Sequence, residues 1–352
     1  MARQAHRGPL FDLTETNPTR AGIEYPQDEL AEALARGARA AYEPDPRGLR
    51  SAREALAENL QCSADDLLIT ASTSEAYSFL FKLLTDPGDA IVTPTPSYPL
   101  LEHLAQLELV ELRPFPLEFH RRWEIHDVSV DGRVRAIAVV HPNNPTGSFV
   151  TADEQARLAR HELPIISDEV FLDYALESRG TTFVREDVLT FALGGLSKSA
   201  GLPHFKLGWI RVSGPGKREA LEGLELIADN FLSVATPVQV ALPELLRIAP
   251  RIRGAISQRT RTNLELLRRE FAAVSAVEVL PVEGGWSAVL RVPRVVSDDE
   301  LALQLLQHGV LIQPGYFFDF ERDGYVVVSL LTREEIFAAG VRRMRDVLTE
   351  LI

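Results

Sequence analysis

One lysine stands where an amine could do covalent chemistry. Phe191-Ala-Leu-Gly-Gly-Leu-Ser-Lys-Ser-Ala-Gly runs from an apolar segment, Val188 to Leu193, through two glycines to Lys198 between two serines. A second apolar run, Leu207 to Val212, resumes after Lys206. The pattern reads as strand, small-residue loop, strand. A lysine so placed has its stem packed and its amine at the end of a sheet. It can lose its proton and form an imine with an aldehyde. A solvated loop lysine is the plain alternative for an isolated Ser-Lys-Ser, and the segments upstream weigh against it.

Four groups of residues fall at predicted strand ends, where open α/β sheets hold their ligands. Ser72-Thr73-Ser74 lies between a strand and a helix, and hydroxyls at a helix N-terminus make an anion site or simply cap the helix. His141-Pro-Asn-Asn-Pro-Thr-Gly147 is a rigid turn that aims Asn144 at the sheet edge, where its amide could bond a phenolic oxygen or close an Asx-turn. Asp168 ends Pro-Ile-Ile-Ser-Asp, and a carboxylate there needs a cationic partner, either a pyridinium N–H or an arginine. Tyr98, in Thr95-Pro-Ser-Tyr-Pro, could stack on a flat ring or sit in the core. Lys206, eight residues past Lys198, is a phosphate cation or a surface lysine. Together these residues offer an imine-forming amine, an acid for a ring nitrogen, an amide for a ring oxygen, an aromatic cover and a phosphate cradle. That set describes pyridoxal 5′-phosphate.

The elements that must carry them alternate. Strands are predicted at Leu67–Thr70, Ala90–Val92, Val110–Leu112, Val134–Val140, Pro164–Ser167, Leu189–Leu193 and Leu207–Val212, with helices of about ten residues between them. An α/β fold with a large, mostly parallel sheet flanked by helices follows. A helix after Tyr25-Pro26 is predicted to end near Tyr42, and another to span Leu49–Leu60. A helix after Pro237 is read as separate from a long charged one, Arg251–Phe271. Strands at Val277–Leu280, Ala288–Val292 and Tyr325–Ser329, with helices at Asp299–Gln307 and Arg333–Leu351, suggest a smaller α+β unit. The expected partition is residues 1–45 as an arm and helix joining the small domain, 46–250 as the large cofactor domain, and 251–352 as the small domain.

With these residues in view, the chain resembles the class I/II aminotransferases of the fold-type I pyridoxal-phosphate superfamily, from about Leu13 to the C-terminus. The resemblance implies that Lys198 holds the cofactor as an internal aldimine and then shuttles a proton. It implies that Tyr42 reaches the phosphate in a neighbouring subunit, hence a homodimer with shared sites. Four positions depart from the family pattern. Phe171 replaces a tyrosine that donates to the ring oxygen, which predicts a raised pKa for the imine nitrogen relative to relatives that keep the phenol. A visible-absorbance pH titration without that elevation would count against it. Gly195 replaces a phosphate-binding serine, and Lys206 replaces an arginine, keeping charge but losing the bidentate fork. Val327 stands where an arginine commonly grips the substrate carboxylate. Arg20, in Asn-Pro-Thr-Arg-Ala-Gly, is the candidate substitute. Trp286 and Tyr316-Phe317-Phe318 are expected to line the substrate pocket or to pack in the core.

Composition sets the outer limits. The 352 residues are 45% hydrophobic and 25% charged, with a formal charge of −13 and no long basic run. This argues against nucleic acid or an anionic membrane as the main partner. The single cysteine, Cys62, excludes an internal disulfide and a cysteine-built metal site. The start lacks a secretory apolar region, and a cytoplasmic enzyme is expected. The leading expectation is a transaminase exchanging an amino group between an amino acid or amine and a 2-oxo acid. A decarboxylase or lyase on the same scaffold is the alternative, with Asp-Glu-Val-Phe a faint resemblance to threonine-phosphate decarboxylases. A silent ligand sensor is the third; such sensors carry a DNA-binding extension, for which no room is expected before Leu13.

Overall fold

The structure, a computed structural model, describes residues 8–351. The segment Met1–Arg7, which carries most of the start read for a secretory signal, lies outside them. Numbered along the chain, the strands open with β1 (Phe11–Asp12), β2 (Leu67–Thr70), β3 (Ala90–Thr95), β4 (Glu111–Phe119) and β5 (Trp123–Ile125). They continue with β6 (Val134–Val140), β7 (Ile165–Asp168), β8 (Thr190–Gly195) and β9 (Gly208–Ser213). The last are β10 (Glu278–Val279), β11 (Ser287–Arg291), β12 (Val310–Leu311), β13 (Gln313–Pro314) and β14 (Tyr325–Ser329).

Eight strands form the main sheet in the order β2-β9-β8-β7-β6-β3-β4-β5. Only β9 and β5 run against the rest. The central strands are buried along their whole length (β7 and β8 have no exposed position) because helices cover both faces, which is why they read as continuous apolar runs. Chain order reverses around β6, which lies between β7 and β3. A crevice opens at such a reversal, beyond the carboxyl ends of the strands. Strands β10, β11, β14 and β13 make a second, antiparallel sheet. The two-residue β1 pairs in parallel with β12, tying the N-terminal segment to the later part of the chain.

Three sequence readings are corrected. The first helix is Gln27–Gly37 and stops short of Tyr42. Residues 38–44 are exposed throughout, so no buried face offsets the cost of further turns. The two helices read on either side of Pro250 are one, Thr236–Phe271, with Pro243 and Pro250 inside it. An interior proline costs roughly 3 kcal/mol. Here Leu242, Leu245, Ile248, Ile252 and Ile256 keep one apolar stripe buried across both prolines, and that burial outweighs the lost bonds. The segment carrying Lys198 is a single helical turn, Leu196–Ser199, rather than an open loop. Leu196 N–H donates to Leu207 O at 2.9 Å and Leu202 N–H to Leu196 O at 2.9 Å, closing the chain back on β9.

Candidate active site

Carboxyl ends of β2, β6, β7 and β8 deliver their following residues to one cavity of about 560 Å³. Its walls include Ser72, Thr73, Ser74, Tyr98, Asn144, Asp168, Lys198, Lys206 and Trp286. Most of the residues singled out from sequence are thus brought together. A volume of this size lies within the range of small-molecule sites.

Lys198 is held from below. Its carbonyl accepts from the Tyr174 hydroxyl at 2.6 Å and from Gly201 N–H at 2.9 Å. Its Nζ lies 5.3 Å from the Trp286 ring and 5.9 Å from that of Phe171. Burial pushes the ammonium pKa down, and the charge of Asp168 pushes back. Asp168 is buried at the last position of β7. Its Oδ2 accepts from the Tyr77 hydroxyl at 3.2 Å and its Oδ1 from Val170 N–H at 3.2 Å. Desolvation dominates over these donors and raises the carboxyl pKa to about 6. A buried acid so poorly compensated fits a cationic N–H beside it, which a protonated pyridine ring would supply.

The adjacent asparagines divide their tasks. Asn143 is buried: its Nδ2 donates to Pro96 O at 3.0 Å and Thr146 Oγ1 at 2.9 Å, and its Oδ1 accepts from Ser97 Oγ at 3.0 Å. It holds the turn, which leaves the half-buried Asn144 amide on the cavity wall with no partner among the described residues. His141 is structural. Its Nδ1 accepts from Val150 N–H and its Nε2 faces Thr181 O, both at 2.9 Å, and burial lowers its pKa to about 4.

Ser72 caps the helix Thr73–Leu84, its hydroxyl accepting from Glu75 N–H at 3.2 Å. The free N–H groups of that first turn face no helical carbonyl and make an anion cradle. One glycine leaves it open. A Cβ on Gly208 would lie 2.9 Å from the Ser72 carbonyl carbon and 3.1 Å from Thr73 N. Lys206, in the left-handed region at φ 49°, forms no ion pair among the described residues. These features fit a phosphate. Gly208→Ala should therefore displace the helix start and weaken pyridoxal phosphate binding by about 10²-fold, the scale of a 1 Å misplacement. An absorbance titration of the apoprotein measures this.

Arg20, Tyr42 and Tyr316 do not line the cavity. Arg20 is turned to the surface, its side chain 76% exposed and its guanidinium 3.4 Å from Glu15. The local turn, in which Arg20 and Ala21 N–H both donate to Asn17 O, brings Thr16 to the cavity instead. Tyr42 is 69% exposed and sits beside Pro44, Asp45 and Ser233, away from the cavity of its own chain. Val327 is fully buried opposite Val289, in the core cluster that also holds Trp123, Phe318 and Phe320, so its position serves packing. Phe317 and Phe318 reach the cavity wall, whereas Tyr316 bonds Asp299 at 2.6 Å. Sequence reasoning missed Tyr77, Thr16, Ser287 and Gln313. Tyr77 had a signal, being four residues past Thr73 and hence on the same helix face.

The sequence profile described as Aminotransferase class I and II matches residues 10–339. Nicotianamine aminotransferase 1 of Oryza sativa subsp. japonica is 31% identical over 244 residues, 63% of this chain and 49% of that protein. The chain therefore spans about half the length of that relative. Glutamate-pyruvate aminotransferase AlaA of Haemophilus influenzae is 27% identical over 350 residues, 91% of this chain and 86% of that one. The solved alanine aminotransferase of Pyrococcus furiosus superposes with a TM-score of 0.88 at 23% identity, covering 97% of this chain and 93% of the other.

Proposed function

Because the chain belongs to the class I and II aminotransferase family, whose members use pyridoxal phosphate, we propose that it transfers an amino group from an amino acid or amine to a 2-oxo acid at the cavity around Lys198. The observation that carries this reading is the convergence of a desolvated amine, a buried and only partly compensated acid and an anion cradle on one cavity.

Pyridoxal phosphate supplies an aldehyde for amines and an electron-withdrawing ring. Lys198 Nζ moves the substrate proton: burial disfavours its ammonium form, so the free amine is available as a base, and it returns the proton as an acid. The Asp168 carboxylate holds a cationic N–H, and Tyr77 and Val170 fix its orientation. Asn144 donates from its amide to a ring oxygen and, with Trp286, lines the substrate side. Ser72, Thr73, Ser74 and Lys206 bind a phosphate. Tyr98 and Phe171 exclude water with apolar faces. The exposed Tyr42 suits a contact across a homodimer, reaching a partner's phosphate, and light scattering at the elution peak tests that assembly. The domain division proposed is residues 1–45, 46–250 and 251–352, although the single helix Thr236–Phe271 runs across the boundary at residue 250. No helix among the described residues is long and apolar enough to cross a membrane, and a cytoplasmic enzyme is the setting proposed.

The test is a half-reaction. Holoprotein mixed with single amino acids should accumulate pyridoxamine phosphate without releasing carbon dioxide. Gas evolution would make the protein a decarboxylase, and no conversion with any donor would make it a sensor.

A further inference from the structure

A second cavity, of about 390 Å³, lies behind the segments that carry Lys198 and Asp168. The wall between the two is one residue thick at four places. Asp168 lines the first cavity and Glu169 the second; Phe171 and Leu172, Gly195 and Gly194, and Lys198 and Ser199 divide in the same way. Consecutive residues at a strand end point to opposite faces, and a helical turn rotates neighbours by about 100°. The partition is thus a consequence of the backbone that positions the catalytic groups.

The rear cavity holds a cation that has no salt bridge of its own, although its charge reaches the buried Glu169 carboxyl and the Cys62 thiol. Arg211, on β9, donates from Nη1 to Leu60 O at 3.2 Å and forms no ion pair among the described residues. Arg253 already pairs with Asp173 at 2.7 Å. Glu169, on the same wall, is held by three hydrogen bonds rather than by Arg211: its carboxyl accepts from Ser167 Oγ at 3.1 Å, Thr182 Oγ1 at 2.7 Å and Phe183 N–H at 2.6 Å. Ser199 Oγ donates to Gly195 O at 3.0 Å, so a rear-facing hydroxyl is bonded directly to the turn that presents Lys198. A half-buried guanidinium with unused N–H donors beside a polar void suits a planar, bidentate acceptor.

We propose that the rear cavity binds a small organic carboxylate through Arg211, and that its occupancy is transmitted to Lys198 through the shared backbone of residues 194–199. Binding stands on the geometry alone; an effect on turnover rests on the transaminase reading. The chemistry is that of the proposed substrates and products, so the site would let their abundance act on the enzyme from outside the reaction cavity.

Calorimetric titration of the holoprotein with succinate tests this, beside Arg211→Met and Arg211→Lys. Wild type should show a binding component that weakens about tenfold or more in Arg211→Met and less in Arg211→Lys. Succinate should also shift the pH midpoint of the cofactor's visible band in wild type and leave Arg211→Met unmoved. Both variants should keep the basal half-reaction rate, and thermal melts verify that they are folded. Equal succinate affinity in wild type and folded Arg211→Met would overturn the site. So would tighter binding of inorganic phosphate than of succinate. An unshifted visible band in wild type would overturn the coupling. Succinate binding through Arg211 in a protein that converts no donor would sink the transaminase reading alone.

Discussion

Lys198→Ala should leave the protein's mass unchanged after borohydride treatment with pyridoxal phosphate, where wild type gains the mass of the reduced adduct. The half-reaction rate should fall by about 10⁴-fold or more, because the variant loses both covalent attachment and the positioned proton carrier. The fold should survive. The Lys198 contacts that hold the turn run through its carbonyl, to Tyr174 and Gly201, and alanine keeps that carbonyl. Mass spectrometry reads the first outcome and stopped-flow absorbance the second. An adduct on the variant as abundant as on wild type would show that another amine does the work.

Asp168→Asn carries the second large effect, and its two readouts move in opposite directions. An amide of the same size cannot hold a positive ring nitrogen by charge, so the half-reaction should slow by roughly 10²- to 10³-fold, the scale of one lost electrostatic group. Apoprotein stability should respond with the other sign. Burial raises the Asp168 pKa from 3.8 to about 6, so the folded state prefers the protonated acid. The stability this contributes is fully present below about pH 4 and is lost as pH rises through about 6. At pH 8 the wild-type apoprotein holds a desolvated carboxylate that asparagine removes. The variant apoprotein should therefore melt no lower than wild type at pH 8, with its relative advantage shrinking toward pH 4. Bound cofactor should reverse the order at pH 8, because the carboxylate then has its cation. Melting curves of apo and holo forms at both pH values read all four combinations.

Gly208 and Asn143 mark how finely the site depends on neighbours that do no chemistry. Gly208 has no side chain because the Ser72-Thr73 backbone needs the space. Asn143 spends its amide on Pro96, Thr146 and Ser97 and so leaves Asn144 free to face the cavity. From sequence, Asn143 and Asn144 differ only by one position, and either could have been the turn former. Which one is satisfied depends on Pro96 and Ser97, almost fifty residues away.

What the sequence determined by itself is the address of the polar residues that line the cavity. Lys198, Asp168, Asn144 and Ser72-Thr73-Ser74 each follow an apolar run that ends in turn formers, and that local pattern places them at strand ends whatever the rest of the chain does. The mostly parallel sheet follows from the same alternation. What only the tertiary structure decided is which side chains meet across long separations. Tyr77 reaches Asp168 from 91 residues away. The helix Thr236–Phe271 runs through Pro250 because its stripe stays buried on both sides. Arg20 turns outward to Glu15 while Thr16 lines the cavity, and Val327 sinks into an aromatic core. Local propensity acts over a few residues and is legible in order. Burial and satisfied hydrogen bonds are shared among distant segments, and they exist only once the chain has closed on itself.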